Sequence, residues 1–314
     1  MKIVILDGSG ANPGDLSWAP IEALGELTAY DYTAPGETVA HIGDAQIVLT
    51  NKTVIDRAVL DACPGIRYVG IIATGYNVVD LAACRERGIP VCNVPAYSTS
   101  AVAQHVFALL LELTNLVGHH NEAVQAGRWV TNPGFCFWDA PLRELEGLTM
   151  GLVGYGEIGK RTARLAEAFG MRVLACASRP RDGLTDLNTV LRESDIVSLH
   201  CPLTAQNKGF INRETLALMK PGAILINTAR GGLLNEADVR AALESGRLGA
   251  CAVDVVSEEP MKAGNPLLGA PNCIITPHIA WAPRETRARL IQIAADNLNG
   301  FLHGKPVNDV SGRA

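Results

Sequence analysis

The chain has 314 residues, with 27 Lys plus Arg against 32 Asp plus Glu and a formal net charge of −5; 48% of its residues are hydrophobic and 5% aromatic. So apolar a chain is not intrinsically disordered, and its acidic balance lacks the basic footprint of a nucleic-acid binder. The length suits two domains of roughly 100–200 residues each.

The opening MKIVILDGSG holds a short apolar run ended by Asp7 and Gly8. A signal peptide needs about 7–15 apolar residues and a membrane span about 20, so the chain is expected in the cytoplasm without a membrane partner. β-prone runs at 2–6, 26–30, 46–49, 67–72 and 90–92 alternate with helical stretches near 18–24, 56–61 and 79–87. Strands spaced by helical crossovers predict a parallel, doubly wound sheet. Gly8-Ser9-Gly10 follows the first strand, but Asn12-Pro13-Gly14 interrupts the place where a phosphate-facing helix would start, which leaves a surface turn. Residues 97–127 read as one long helical pattern, apolar on most faces in its first half. Residues 129–147 break the rhythm as a loop or arm rich in aromatics, among them Phe135, Phe137 and Trp138.

From residue 148 the alternation restarts. Strands are predicted at 149–153, 172–176, 196–200, 223–227, 250–254 and 273–276, with helices between them and a final helix over 284–301. The fold class is α/β, two doubly wound parallel-sheet domains. The last helix is expected to return to the first domain, which then comprises 1–98 plus 283–314, with 99–282 as the second. The eight cysteines form no CxxC and sit mostly in apolar runs, so reduced buried thiols are expected, with no disulfide framework and no metal.

The strongest local signal is TMGLVGYGEIGKRTARLAEAFG. Gly154, Gly156 and Gly159 spell GxGxxG directly after a β-run and before a helix, the context a dinucleotide site needs. Gly154 permits the tight turn, Gly156 lets the backbone approach a pyrophosphate, and Gly159 allows close packing of helix on strand. The amides from Tyr155 through Glu157 to Ile158 then face the anion at a helix start. An Asp or Glu about twenty residues on normally binds the ribose 2′-hydroxyl. Here Ala177 holds that place, followed by Ser178-Arg179-Pro180-Arg181. Ser178 and Arg179 would hydrogen-bond and neutralise a 2′-phosphate, so NADP(H) is predicted to be accepted or preferred, with NAD(H) still usable.

Three later strand ends carry polar residues toward the ligand crevice of such a sheet. They are Arg230 after AILINTA, Asp254 with Glu259 in DVVSEEP, and His278 in TPHIAW. Arg230 suits a carboxylate, His278 suits proton transfer to or from a carbonyl or hydroxyl oxygen, and Glu259 suits fixing the imidazole tautomer. The remaining histidines, 41, 105, 119, 120, 200 and 303, read as ordinary structural residues.

The runs IIATGYNVVDLAACRERGIPVCNVP, LHCPLT, NTARGGLLNEADVRAAL, DVVSEEP and TPHIAW, together with the glycine loop, resemble the D-isomer-specific 2-hydroxyacid dehydrogenases over about residues 65–282. The resemblance implies a flavodoxin-like substrate domain, a Rossmann dinucleotide-binding domain, and a homodimer formed through an arm near 118–147. It implies Arg230 as carboxylate binder, His278 as acid–base and Glu259 as its partner. Thr74, Gly75 and Tyr76 would present amides to the substrate, with Thr74 also near the cofactor. Cys201, Pro202, Thr228, Ala229, Asp254 and Ala280 would line the nicotinamide side. Within the family, the segments are most similar to glycerate dehydrogenases (hydroxypyruvate reductases), so hydroxypyruvate or glyoxylate is the expected substrate. A non-catalytic nucleotide sensor of the corepressor type and a formate- or phosphite-oxidising enzyme remain the alternatives.

Overall fold

Parallel strands covered on both faces read as unbroken apolar runs, and such runs form the centres of two sheets here. The computed structural model describes residues 1–179 and 182–313. In chain order the first elements are β1 (Lys2–Ile5), α1 (Ala19–Glu22), β2 (Glu26–Ala29), α2 (Thr38–Ile42), β3 (Ile47–Thr50), α3 (Arg57–Ala62), β4 (Tyr68–Ile71), α4 (Leu81–Glu86) and β5 (Val91–Cys92). Next come α5 (Thr99–Asn115), α6 (Val117–Gln125), α7 (Arg128–Thr131), β6 (Thr149–Val153), α8 (Glu157–Ala168), β7 (Arg172–Cys176), α9 (Leu187–Glu193), β8 (Ile196–Leu199) and α10 (Arg213–Leu218). The chain finishes with β9 (Ala223–Asn227), α11 (Glu236–Glu244), β10 (Leu248–Val253), β11 (Cys273–Ile275) and α12 (Arg284–Leu302).

Two compact units result, residues 1–98 with 281–314, and residues 99–280. The first holds a parallel sheet in the order β2-β1-β3-β4-β5. One face packs Val4, Val48, Val69 and Val91 against α3 and α4; the other packs Ile3, Ile5, Ile47 and Leu49 with Leu290, Ile291 and Leu298 of α12. Helices start where short polar side chains take up free amides. Asp56 accepts from Val59 N and Asp80 from Ala83 N, each at 2.9 Å. The Gly8–Gly10 segment is a single 3₁₀ turn, and the Asp7 carboxylate before it accepts from the amides of Asn51, Lys52 and Thr53.

The second unit holds a parallel sheet in the order β11-β10-β9-β8-β6-β7. The strand order reverses between β6 and β8, the place where doubly wound sheets bind ligands beyond their carboxyl ends. All five residues of β6 and all five of β9 are buried.

Two expectations need correction. The pattern over 97–127 is not one helix: Leu116 takes a left-handed φ of 51°, and α5 and α6 meet at a 57° bend. Side chains compete with the helix there, since Thr114 Oγ1 bonds back to Leu110 O and the Gly118 amide donates to the Glu112 carboxylate. Nor does a helix link β10 to β11; residues 254–272 form turns, consistent with Pro260, Pro266, Pro271, Gly264 and Gly269. Among the described residues no single helix is long and apolar enough to cross a membrane. The cysteines are free thiols: Cys136 is exposed, Cys201 and Cys273 are half-buried, and the other five are buried.

Candidate active site

The β6–α8 turn is shaped by three glycines. Gly154 has a φ of 103°, and a Cβ there would come within 2.6 Å of the His200–Cys201 backbone. A Cβ on Gly159 would overlap the Gly154 carbonyl, so the helix start lies directly on the loop. At Gly156 the same Cβ would meet nothing within 4 Å. That position faces open space in front of the α8 amides, as a bound pyrophosphate requires. Tyr155 is half-buried against the core under β6. Glu157 opens α8 and pairs with Lys160 at 2.9 Å, while Ile158 accepts from Thr162 Oγ1 through its carbonyl. Beyond β7, Ala177, Ser178 and Arg179 are all exposed. Pro180 and Arg181, the rest of that expected ribose loop, lie outside the described residues.

The nicotinamide-side candidates gather at neighbouring strand ends. Cys201 and Pro202 follow β8, and Pro202 O accepts from Asn207 Nδ2 at 2.8 Å. Burial raises the Cys201 thiol above its ordinary range. After β9, the Asn227 side chain accepts from Ala229 N and donates to Arg230 O, closing a tight turn. Within it Thr228 Oγ1 is buried with no hydrogen-bond partner among the described residues. An orphaned buried hydroxyl is costly and is a donor awaiting an acceptor. With the open space at Gly156, it marks a surface that fits a nicotinamide dinucleotide.

Arg230 is exposed, its Nη1 resting 2.7 Å from Ala229 O. The next residue, Gly231, lies so close to the Val256–Ser257 backbone that a Cβ would overlap it. The Arg230 turn is thereby seated on the loop that carries Glu259. Glu259 Oε1 accepts from Val256 N at 3.2 Å, and Oε2 lies 2.7 Å from His278 Nδ1. His278 sits at a left-handed φ of 55°, and its amide donates to Asp254 O at 2.8 Å and Thr276 O at 3.0 Å.

Asp254 anchors that turn. Its carboxylate is 1% exposed and accepts from Thr276 Oγ1 at 2.6 Å, Ile279 N at 2.9 Å and Ala280 N at 2.8 Å. Burial pushes this carboxyl up, but hydrogen bonds from His105, Thr276 and the two amides outweigh it and hold it below the ordinary range. The sequence reads His105 as an ordinary structural histidine, yet its Nε2 is 3.0 Å from Thr276 Oγ1 and 3.5 Å from Asp254 Oδ1. The available signal was a lone imidazole in the apolar stretch AVAQHVFALLLEL.

Thr74, Gly75 and Tyr76 belong to the first unit. They form the loop after β4, held by Thr74 Oγ1 to Val94 O at 2.9 Å and Asn93 Nδ2 to Thr74 O at 2.7 Å. In the arm, Trp129, Val130, Phe135, Trp138 and Leu142 are exposed.

Comparison with known proteins places these features in a family. Residues 107–280 match the D-isomer specific 2-hydroxyacid dehydrogenase, NAD binding domain. A hydroxypyruvate reductase from Blautia hydrogenotrophica is 52% identical over 99% of this chain and 100% of its own length. A glycerate dehydrogenase from Methylorubrum extorquens is 42% identical over 91% of this chain and 92% of its own. Among solved structures, an acyclic imino acid reductase (Bsp5) in complex with NADPH and D-Arg superposes with a TM-score of 0.84 at 30% identity, covering 99% of this chain and all of that one.

Proposed function

The chain belongs to the D-isomer specific 2-hydroxyacid dehydrogenase family, and from that premise we propose that it reduces hydroxypyruvate, and glyoxylate beside it, to the 2-hydroxy acid with NADPH accepted alongside NADH. The observation that carries the reading is the 2.7 Å pair of His278 Nδ1 and Glu259 Oε2, at the strand-end edge that also bears Arg230. The substrate choice follows the hydroxypyruvate reductase and glycerate dehydrogenase relatives.

Gly156 and the α8 amides would hold a nicotinamide dinucleotide, which would supply the hydride when bound. Thr228 Oγ1 would donate to it, and Cys201, Pro202, Ala229 and Ala280 would enclose that side. Arg230 binds the substrate carboxylate through its guanidinium fork and fixes the carbonyl's orientation. Glu259 accepts from His278 Nδ1–H, which leaves Nε2 to carry the reacting proton. As hydride adds to C2 and the carbonyl electron pair moves to oxygen, His278 Nε2 gives that oxygen its proton, so the product is the 2-hydroxy acid, and it takes the proton back in the oxidative direction. Glu259 offsets the charge of the imidazolium. The exposed apolar arm suits burial against a second copy of the chain.

Initial rates on hydroxypyruvate, glyoxylate and pyruvate, each with NADH and NADPH, test this reading. Hydroxypyruvate should give the highest kcat/KM, and the active species should sediment as a dimer. Absence of turnover on all three would sink the proposal. Ala177→Asp places a carboxylate against a 2′-phosphate and should move the cofactor ratio toward NADH by about tenfold, or 1.4 kcal/mol; an unchanged ratio removes the ribose argument alone.

A further inference from the structure

His105 lies on α5, which packs against β9 and β10, and its ring is 18% exposed. The hydrogen-bond pattern fixes its role. Thr276 has one hydroxyl proton, committed at 2.6 Å to Asp254 Oδ1, which as a carboxylate can only accept. Thr276 Oγ1 can therefore only accept from His105, so His105 Nε2 carries a hydrogen. That hydrogen faces Thr276 Oγ1 at 3.0 Å and Asp254 Oδ1 at 3.5 Å.

Asp254 in turn holds both ends of the turn that displays His278. Its main-chain carbonyl takes the His278 amide, and its carboxylate takes Thr276 Oγ1 before the turn and the Ile279 and Ala280 amides after it. A non-glycine residue at a left-handed φ is strained and persists only where its surroundings over-determine it. Most of the contacts that do so here meet on Asp254, through its main-chain carbonyl and its buried carboxylate. We propose that His105 is a positioning residue for the reduction assigned above: by donating to Thr276 and Asp254 it fixes the carboxylate that clamps the His278 turn, and so sets where the imidazole stands. The proposal rests on that reading for its catalytic consequence only; the clamp is a property of the fold.

Two variants separate the hydrogen bond from the bulk. His105→Phe keeps a ring and loses the donor, whereas His105→Gln places an amide N–H near the position of Nε2. Hydrogen–deuterium exchange of the segment 276–280 reads the clamp without any turnover. Exchange should quicken by about tenfold in His105→Phe, a shift of about 1.4 kcal/mol in local opening, and return near wild type in His105→Gln. On the 2-oxo acid turned over by wild type, kcat should fall by about ten- to a hundredfold in His105→Phe, as displacement of a reacting group predicts. KM and dinucleotide affinity should stay within about threefold, and His105→Gln should restore most of kcat. Wild-type exchange in His105→Phe overturns the proposal. So does equal loss in both variants, which would mark His105 as packing only, and so does a fall confined to thermal stability with kcat unchanged. If wild type reduces no 2-oxo acid, the functional reading fails, and the exchange data still decide the clamp.

Discussion

His278 stands in a backbone conformation that few side chains other than glycine and asparagine adopt readily. That fact shapes the cleanest test of its chemistry. An alanine there would mix lost proton transfer with backbone strain, whereas asparagine tolerates the left-handed region and carries no titrating group. His278→Asn should therefore lower kcat by about 10²–10⁴ with dinucleotide affinity and melting temperature nearly unchanged. A kcat within threefold of wild type would remove the imidazole from the proton-transfer step. At this scale the sequence was legible in part. Arg230, Glu259 and His278 were each ambiguous alone, and their order after the glycine loop at successive strand ends made them a set. The 2.7 Å contact between His278 and Glu259 spans 19 residues, with a loop between them that no periodicity describes. The bond from His105 to Thr276 spans 171 residues. It exists only once α5 is laid on the sheet, so reading the histidine as structural was the natural result of local information.

Elements, rather than single residues, decide where Arg230 points. The turn after β9 and the loop after β10 touch through Gly231, which has no room for a methyl group against Val256 and Ser257. Gly231→Ala must push the two loops apart, and overpacking of this kind costs about 1–3 kcal/mol. Because Arg230 rides on one loop and Glu259 on the other, the variant should raise KM for the 2-oxo acid and lower kcat together. Titrations with dinucleotide and steady-state kinetics would separate these effects, and wild-type values for both constants would show that the contact does not position the site. The sheets themselves were legible because central parallel strands are apolar throughout: β6, β7 and β9 fall on their predicted residues, and the other strands are offset by a residue or two. Helices were less legible. The five-residue α2 is too short to display a helical period, and the α5–α6 break depends on Glu112 and Thr114 reaching local backbone groups. The turn-only path from β10 to β11 could have been read from its prolines, but the expected α/β alternation overrode them.

The whole chain threads out of the first unit at Ser98 and back into it at Trp281, so that unit is closed by a segment distant in sequence. α12 supplies Leu290, Ile291, Ala294, Ala295 and Leu298 to the core that also holds Ile3, Ile5, Ile47, Leu49 and Tyr68. Polar ties reinforce it: Arg287 forms a two-pronged pair with Asp15 at 2.7 Å on each arm, and Asn297 Nδ2 donates to Asn93 O at 2.8 Å. The second unit draws on neither buried cluster of the first, since its cores are built from residues 106–275. Damage to α12 should therefore be felt unequally. Leu298 is fully buried, and Leu298→Ala should cost the first unit about 2–5 kcal/mol, the usual range for a leucine truncated in a packed core. In hydrogen exchange, amides of β1, β3 and β4 should lose protection by that amount, while those of β6, β8 and β9 keep most of theirs. Equal loss in both sheets would mean that the two units unfold as one, and no loss in either would mean that α12 adds little to the first core. The unequal result would make the returning helix the element on which stability of the first unit depends, independent of the chemistry carried by the second.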